Sequence, residues 1–164
     1  MQHARDTFYV MLRDRLALLN PERTIVLRVL SRPGVLVAEN ETPSAHAMPD
    51  AFTLQWTSLR IEARGSLPLA TMECEIRYLT DGTAALGGMD RGQSLGSMDA
   101  ELTASLMSEP SHVTKMNYSS GTAVALKTEV FWGPPVFRAA VASGERLTRT
   151  ATVDVWCLVE AGEM

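Results

Sequence analysis

The sequence predicts an α+β fold: a mostly antiparallel β-sheet with an N-terminal helix and a central helix packed on one face. Three observations carry that expectation. Ala70, Met72, Cys74, Ile76 and Tyr78 alternate with Thr71, Glu73, Glu75 and Arg77, the period of two of a half-buried strand. Soon afterwards Leu95, Met98, Leu102 and Leu106 recur at spacings of three and four, the period of a helix with one apolar stripe. The other strand-like runs come in groups instead of alternating one for one with helices, which favours α+β over a doubly wound parallel sheet. Residues 67–106, a strand, a Gly-rich loop and a helix, are the unit around which the rest is expected to pack.

Residues 7–19 read as the first helix. Phe8, Met11, Leu12, Leu16 and Leu19 form its stripe, Asp6 or Thr7 its cap, and Asn20-Pro21 its stop, because a residue before proline avoids the helical region. Residues 24–30 are β-branched and predict a strand. Ser31-Arg32-Pro33-Gly34 predicts a turn, and residues 35–41 the second arm of a hairpin. Residues 42–50 hold two prolines and read as loop. Phe52, Leu54 and Trp56 alternate on even numbers, Leu59 and Ile61 on odd ones, so a bulge is expected near Thr57-Ser58. Gly65-Ser66-Leu67-Pro68 turns the chain into the central strand. Ser108-Glu109-Pro110 ends the second helix, and the polar residues 111–122 read as loop. Val124, Leu126, Thr128, Val130 and Trp132 alternate up to Gly133-Pro134-Pro135. A turn at Ser143-Gly144 leads into residues 146–160, with Ala151, Val153, Val155, Cys157 and Val159 on one face. Residues 161–164 read as a frayed tail.

Length and composition bound the function. At 164 residues the chain suits one domain with a real core. The net charge of −4 argues against a general nucleic-acid binder. Of 15 basic residues only Lys115 and Lys127 are lysines, so the other 13 are arginines, suited to bidentate ion pairs. Cys74 and Cys157 fall on apolar strand faces and read as reduced core thiols. No run approaches the ~20 apolar residues of a membrane span, and His3, Arg5, Asp6, Arg13, Asp14 and Arg15 break any leader-like stretch. The expectation is a soluble, cytoplasmic protein.

No motif announces chemistry. Gly92-Gln93-Ser94-Leu95-Gly96 matches G-x-S-x-G, but a nucleophile elbow needs a strand immediately before the serine, and Ser94 already lies in the helical pattern. Asp99 and His112 follow in the right order, yet Asp99 is barely a turn away. The bland reading is a helix with small residues at 92 and 96 where something packs closely. Gly87-Gly88 lacks the flanking residues of a phosphate loop and reads as a flexible arm. His3, His46 and His112 are isolated, and no ligand set has zinc spacing. Glu39/Glu41 and Glu73/Glu75 are i, i+2 pairs on strand faces. They read as hydrated surface or as carboxylates facing a neighbouring subunit's arginine. Met72, Met98, Met107 and Met11 suit core filling. Trp132 and Trp156 read as core, and Trp132, beside Gly133-Pro134-Pro135-Val136-Phe137, equally as an exposed contact patch. No catalytic, cofactor or metal residue is expected.

The order of elements resembles the tail-terminator, or tail-completion, proteins of long-tailed phages and phage-like particles. The resemblance lies in an N-terminal helix and hairpin, a strand like residues 69–78, a helix like residues 90–108 carrying Leu95-x-x-Met98-x-x-x-Leu102, and a last pair of strands like 124–132 and 148–159. It spans most of the chain and implies one domain over residues 1–164. It also implies a structural role without catalysis or cofactor: a six-fold ring that stops a finished tail tube and presents a surface for the head. The implied partners are further copies of the chain, the tail-tube protein and head–tail connector proteins, with no membrane and no specific nucleic acid. The protein would be found in the host cytoplasm and in the assembled particle. A ring needs two unlike patches per copy. The candidates are Glu73, Glu75 and Arg77 on the exposed strand face, Asp81, Met89, Asp90 and Arg91 in and beside the loop, and Trp132. Two other classes compete: a scaffold or partner-binding α+β domain unrelated to phage, and a small-molecule enzyme with its ligand over the sheet.

Overall fold

A computed structural model describes residues 1–41, 48–63, 67–160 and Glu163. In chain order the elements are α1 (Gln2–Leu19), β1 (Thr24–Leu27), β2 (Leu30–Pro33), β3 (Val35–Val37), the single turn α2 (Ala38–Glu41), β4 (Phe52–Glu62), β5 (Leu69–Thr80), α3 (Arg91–Met107), β6 (His112–Asn117), β7 (Val124–Trp132), β8 (Val136–Phe137), β9 (Val141–Ser143) and β10 (Arg146–Leu158). Among the sequence expectations, the loop over 42–47 with His46, the turn at Gly65-Ser66, and residues 161, 162 and 164 of the tail lie outside the described residues.

The main sheet runs β3-β4-β5-β10-β7-β6, antiparallel at every step except β3 on β4. Strands β5 and β10 form its axis, paired from Leu69↔Leu158 to Thr80↔Leu147 without a register break. Residues opposite each other in such a ladder share a face. Ala70, Met72, Cys74, Ile76 and Tyr78 therefore join Ala151, Val153, Val155 and Cys157 on the inner face, and all are buried. Helices α1 and α3 cover that face. Phe8, Leu12 and Leu16 from one, and Leu95, Met98, Leu102 and Leu106 from the other, complete the same core. This is the α+β arrangement that the two periodicities predict. Cys74 stands opposite Val153 and Cys157 opposite Ala70, so the two thiols occupy separate core positions. The register shift between Trp56 and Ser58 lies where the change of apolar phase placed a bulge.

Several boundaries differ from expectation, each for a tertiary reason. Helix α1 begins at Gln2, so Asp6 and Thr7 are interior to it and do not cap it. Gln2 donates to Asp6 across one turn at 2.7 Å, and Thr7 lies buried against β6, where Met116 N–H donates to its hydroxyl at 2.9 Å. The first hairpin turns at Arg28-Val29, five residues earlier than the proline–glycine signal at Pro33-Gly34. Both turn residues have positive φ, 49° and 69°, as a two-residue type I′ connection demands. Val35–Val37 leaves that hairpin and pairs parallel with Phe52–Leu54. Residues 112–117 form strand β6 where polarity suggested loop. The inward residue of that strand is Lys115, fully buried, whose ammonium donates to the Leu158 carbonyl at 2.6 Å and to Glu163 at 2.8 Å. The tail at Glu163 is thus tied to the sheet.

Arg15 joins the two helices. Its guanidinium donates to the carbonyls of Ser105, Ser108 and Pro110 at 2.7–2.9 Å. It also lies 5.1 Å from the centroid of the Trp132 ring. A helix end leaves its last carbonyls without intrahelical donors and carries partial negative charge, so one cation from α1 satisfies the end of α3. Replacing Arg15 by Met keeps much of the aliphatic stem and removes the donors. The expected loss is about 2 kcal/mol in urea unfolding, with Arg15→Lys recovering only part of it. A wild-type midpoint in the Met variant would show that water serves those carbonyls equally well.

Val29 supplies a test of the opposite sign. Its side chain is 94% exposed and its backbone left-handed, a region that disfavours β-branched residues. Val29→Asn is expected to raise stability by about 1 kcal/mol, measured as a shift in denaturation midpoint. A fall would mean that the turn is held by something other than its own backbone preference.

Candidate functional site

With the helices on one face of the sheet, the other face is open. It is built by the polar half of the same alternation. Thr71, Glu73, Glu75 and Arg77 of β5 stand opposite Trp156, Asp154, Thr152 and Thr150 of β10. The expected contact residues Glu73, Glu75 and Arg77 are therefore brought together on one surface, with Asp154 and Trp156 added by register alone.

Its charges are unevenly matched. Glu75 is flanked by Arg138 at 3.0 Å and Arg77 at 3.4 Å. Glu73 accepts a hydrogen bond from the Thr57 hydroxyl at 2.7 Å, and among the described residues it has no ion pair. Asp154 is exposed directly across the ladder from Glu73 and likewise has none. Arg60 shares a shallow hollow with both but forms no ion pair with either. Like charges directly opposite each other on a sheet are destabilising, and among the described residues no ion pair offsets this one.

An aromatic row borders the charges. Phe131 and Trp156 stack at 6.4 Å with an interplanar angle of 8°, and His112 lies 5.4 Å from Phe131. The chain breaks away from β7 at Gly133-Pro134-Pro135 and returns to β10 as β8. The departure leaves a groove of about 570 Å³ bounded by Trp156, Pro134, Val136, Arg138, Glu73 and Asp154. Sequence reading missed Val136, Arg138, Asp154 and Trp156 as members of this surface. The outward alternation of β10 was a signal for two of them, but only register places them beside Glu73.

The Gly-rich loop is folded against itself instead of forming an open arm. Thr83 donates through its N–H, at 2.8 Å, and through its hydroxyl to Asp90, and those bonds hold the Asp90 carboxyl below the usual carboxylate range. Arg91 donates to the Gly88 carbonyl at 3.0 Å, and Arg146 to Asp81 at 2.9 Å. Gly82 has φ +74°, and a Cβ there would meet Asp90 Oδ1 at 2.8 Å and the Gly88 Cα at 2.9 Å. Asp90 and Arg91 thus close the loop on itself and Asp81 ties it to the start of β10, while Met89 is left 87% exposed at its surface.

Trp132 is a correction. Its ring is buried against Phe8, 6.0 Å between centroids, and its indole N–H donates to the Leu106 carbonyl at 2.9 Å. It faces inward because β7 continues its alternation to the last residue before Gly133. Ser94 sits in the first turn of α3, 3.5 Å from Asp90 and with no strand before it, while His112 pairs with Glu129 at 3.2 Å. The G-x-S-x-G pattern is therefore plain helix. Its glycines face open space, so the close packing expected at 92 and 96 is absent from this chain. Among the described residues no group of three or more His, Cys, Asp or Glu could hold a metal, and no helix is long and apolar enough to cross a membrane.

A second hollow, between α3 and the loop, contains Arg23, Asp50, Asp90 and Ser94. Its cation is engaged: Arg23 pairs with Glu101 at 2.7 Å, both side chains 12% exposed, and Asn20 donates to the same carboxylate. Burial pushes the Glu101 carboxyl up, but the bonds from Arg23 and Asn20 outweigh it, and the net shift is downward from 4.5. A carboxyl whose pKa is lower in the folded than in the unfolded state stabilises above the ordinary value and loses that contribution as pH falls through the folded one. Thermal stability is therefore expected to decline below about pH 4.5, and Glu101→Gln to flatten that decline while lowering stability at pH 7. Parallel acid limbs in the two proteins would assign the decline to other carboxylates.

No family model matches the chain, and no curated protein matches it. Among solved structures it is similar to a chain of the "Virion of native gene transfer agent (GTA) particle", at 12% identity and a TM-score of 0.34, over 87% of this chain and 83% of that one.

Proposed function

We propose that this chain is a structural component of a phage-like tail, forming a ring, six-fold in the tail-terminator pattern, that caps the tail tube and helps join tail to head. The observation that carries the reading is the open sheet face. One side of a two-layer domain bears Glu73, Asp154, Arg77 and an aromatic row in place of a third layer, and its charges are incompletely matched within the chain. Such a surface suits protein contact. Interfaces favour aromatic and arginine anchors within a polar rim. The layout supports the same reading: the inward triplet Leu95, Met98 and Leu102 of α3, an N-terminal helix and hairpin, and a final long strand stand in the order of that family.

The role is assembly, without catalysis. Ser94, His112 and Asp99 each face a different partner: Ser94 donates to Asp90, His112 Nδ1 lies 3.2 Å from Glu129, and Asp99 accepts from the Tyr78 hydroxyl. None is poised as a base beside a nucleophile, which acyl-transfer chemistry would need. The tail-tube protein and the connector are the partners of the two ring faces, and the assembled particle is the place of action.

Light scattering over a concentration series tests this. Six copies of a 17.9 kDa chain give a species of about 107 kDa, which is the expected mass of a closed ring. A chain that stays a monomer at every concentration, and that also fails to halt growth of polymerising tail tubes, would sink the proposal.

A further inference from the structure

The hairpin β1–β2 forms its own two-stranded sheet, apart from the main one. It is rooted by Ile25, buried in a small cluster with Leu36 and Ala51. From Ile25 three residue steps along β1 reach the turn at Arg28, roughly 10 Å away. Beyond that root the arm exposes apolar groups: Val26, Leu30 and, at the tip, Val29. Beside Val29 stands Arg28, also exposed and also at positive φ. A strained, apolar, cationic tip is an unfavourable surface for a free chain.

The groove on the open sheet face has the complementary character. Pro134, Val136 and Trp156 supply apolar walls, and Glu73 with Asp154 supplies two facing carboxylates that lack an ion pair. Its volume of about 570 Å³ falls within the ~300–1,000 Å³ of sites that enclose a small group. We infer that the hairpin tip of one copy docks into this groove of the next, with Val29 against Pro134, Val136 and Trp156 and Arg28 between Glu73 and Asp154. The inference rests on the self-assembly part of the proposed function and names the contact that would carry it. A cation set between those carboxylates turns their repulsion into attraction, and complementary charge fixes the register of docking. Tip and groove are different surfaces of one chain, so the contact is heterologous and propagates from copy to copy until its rotation closes a ring.

Two measurements test it. In the double variant Val29→Cys, Val136→Cys, mild oxidation is expected to give a ladder of disulfide-linked species of three chains and more, while each single variant stops at dimers. The native thiols, both fully buried, do not compete. Second, Arg28→Glu is expected to raise the concentration needed for assembly about tenfold, and adding Asp154→Arg to restore it. The exposed positions of all four residues leave the core untouched, and circular dichroism checks the fold of each variant. A missing ladder, or an Arg28→Glu variant that assembles like wild type, overturns this contact; if the 107 kDa species persists in that case, the ring stands and is built through another surface. A chain monomeric throughout, with no ladder, overturns this contact, and overturns the ring as well if it also fails to halt growth of polymerising tail tubes.

Discussion

Strand β10 lies against β5 over twelve residue pairs, and the other elements take their places from that contact. Both strands alternate small and apolar residues with polar ones, so an unbroken register puts Ala70, Met72, Cys74, Ile76 and Tyr78 on the same side as Ala151, Val153, Val155 and Cys157. A slip of one residue would turn Met72, Cys74 and Ile76 outward and bring Glu73 and Glu75 into the core. The helices are bound by the same condition. Their stripes have one apolar face to cover, and the opposite face is left to charge and aromatic rings.

Three cations at or beside the core are tied to distant partners. Lys115 is buried under Glu163 and the Leu158 carbonyl, Arg23 meets Glu101, and Arg15 occupies the end of α3. These links share a logic. Removing one partner from a buried pair leaves an uncompensated charge, a larger penalty than the pair itself is worth in stability. They therefore specify which elements meet more than they strengthen the meeting. The open face follows a different rule: Glu75 is neutralised at home, and Glu73 and Asp154 are not. That asymmetry separates surface that only faces water from surface with an outstanding electrostatic need.

What could be read from residues alone was whatever depends on period and local sterics. The central strand, the bulge near Thr57-Ser58, the stripe from Leu95 to Leu106, and the outward placing of Glu73, Glu75 and Arg77 all follow from spacing. The parallel pairing of Val35–Val37 and the strand at His112–Asn117 were hidden, because each depends on a neighbour remote in sequence. The hairpin turn at Arg28-Val29 was hidden for another reason. Its residues are poor formers of the left-handed conformation they adopt, and the stronger local signal at Pro33-Gly34 pointed elsewhere.

The sequence by itself determined the fold class and the inward face of the central strand, of the last long strand and of the two helices. Those properties are carried by periodicity, which is local and survives without coordinates. Only the tertiary structure decided that Asp154 stands opposite Glu73, that Trp156 and Val136 border one groove, and that an apolar hairpin tip is left exposed. These are matters of register and of what lies over what, and register is set by the whole sheet at once.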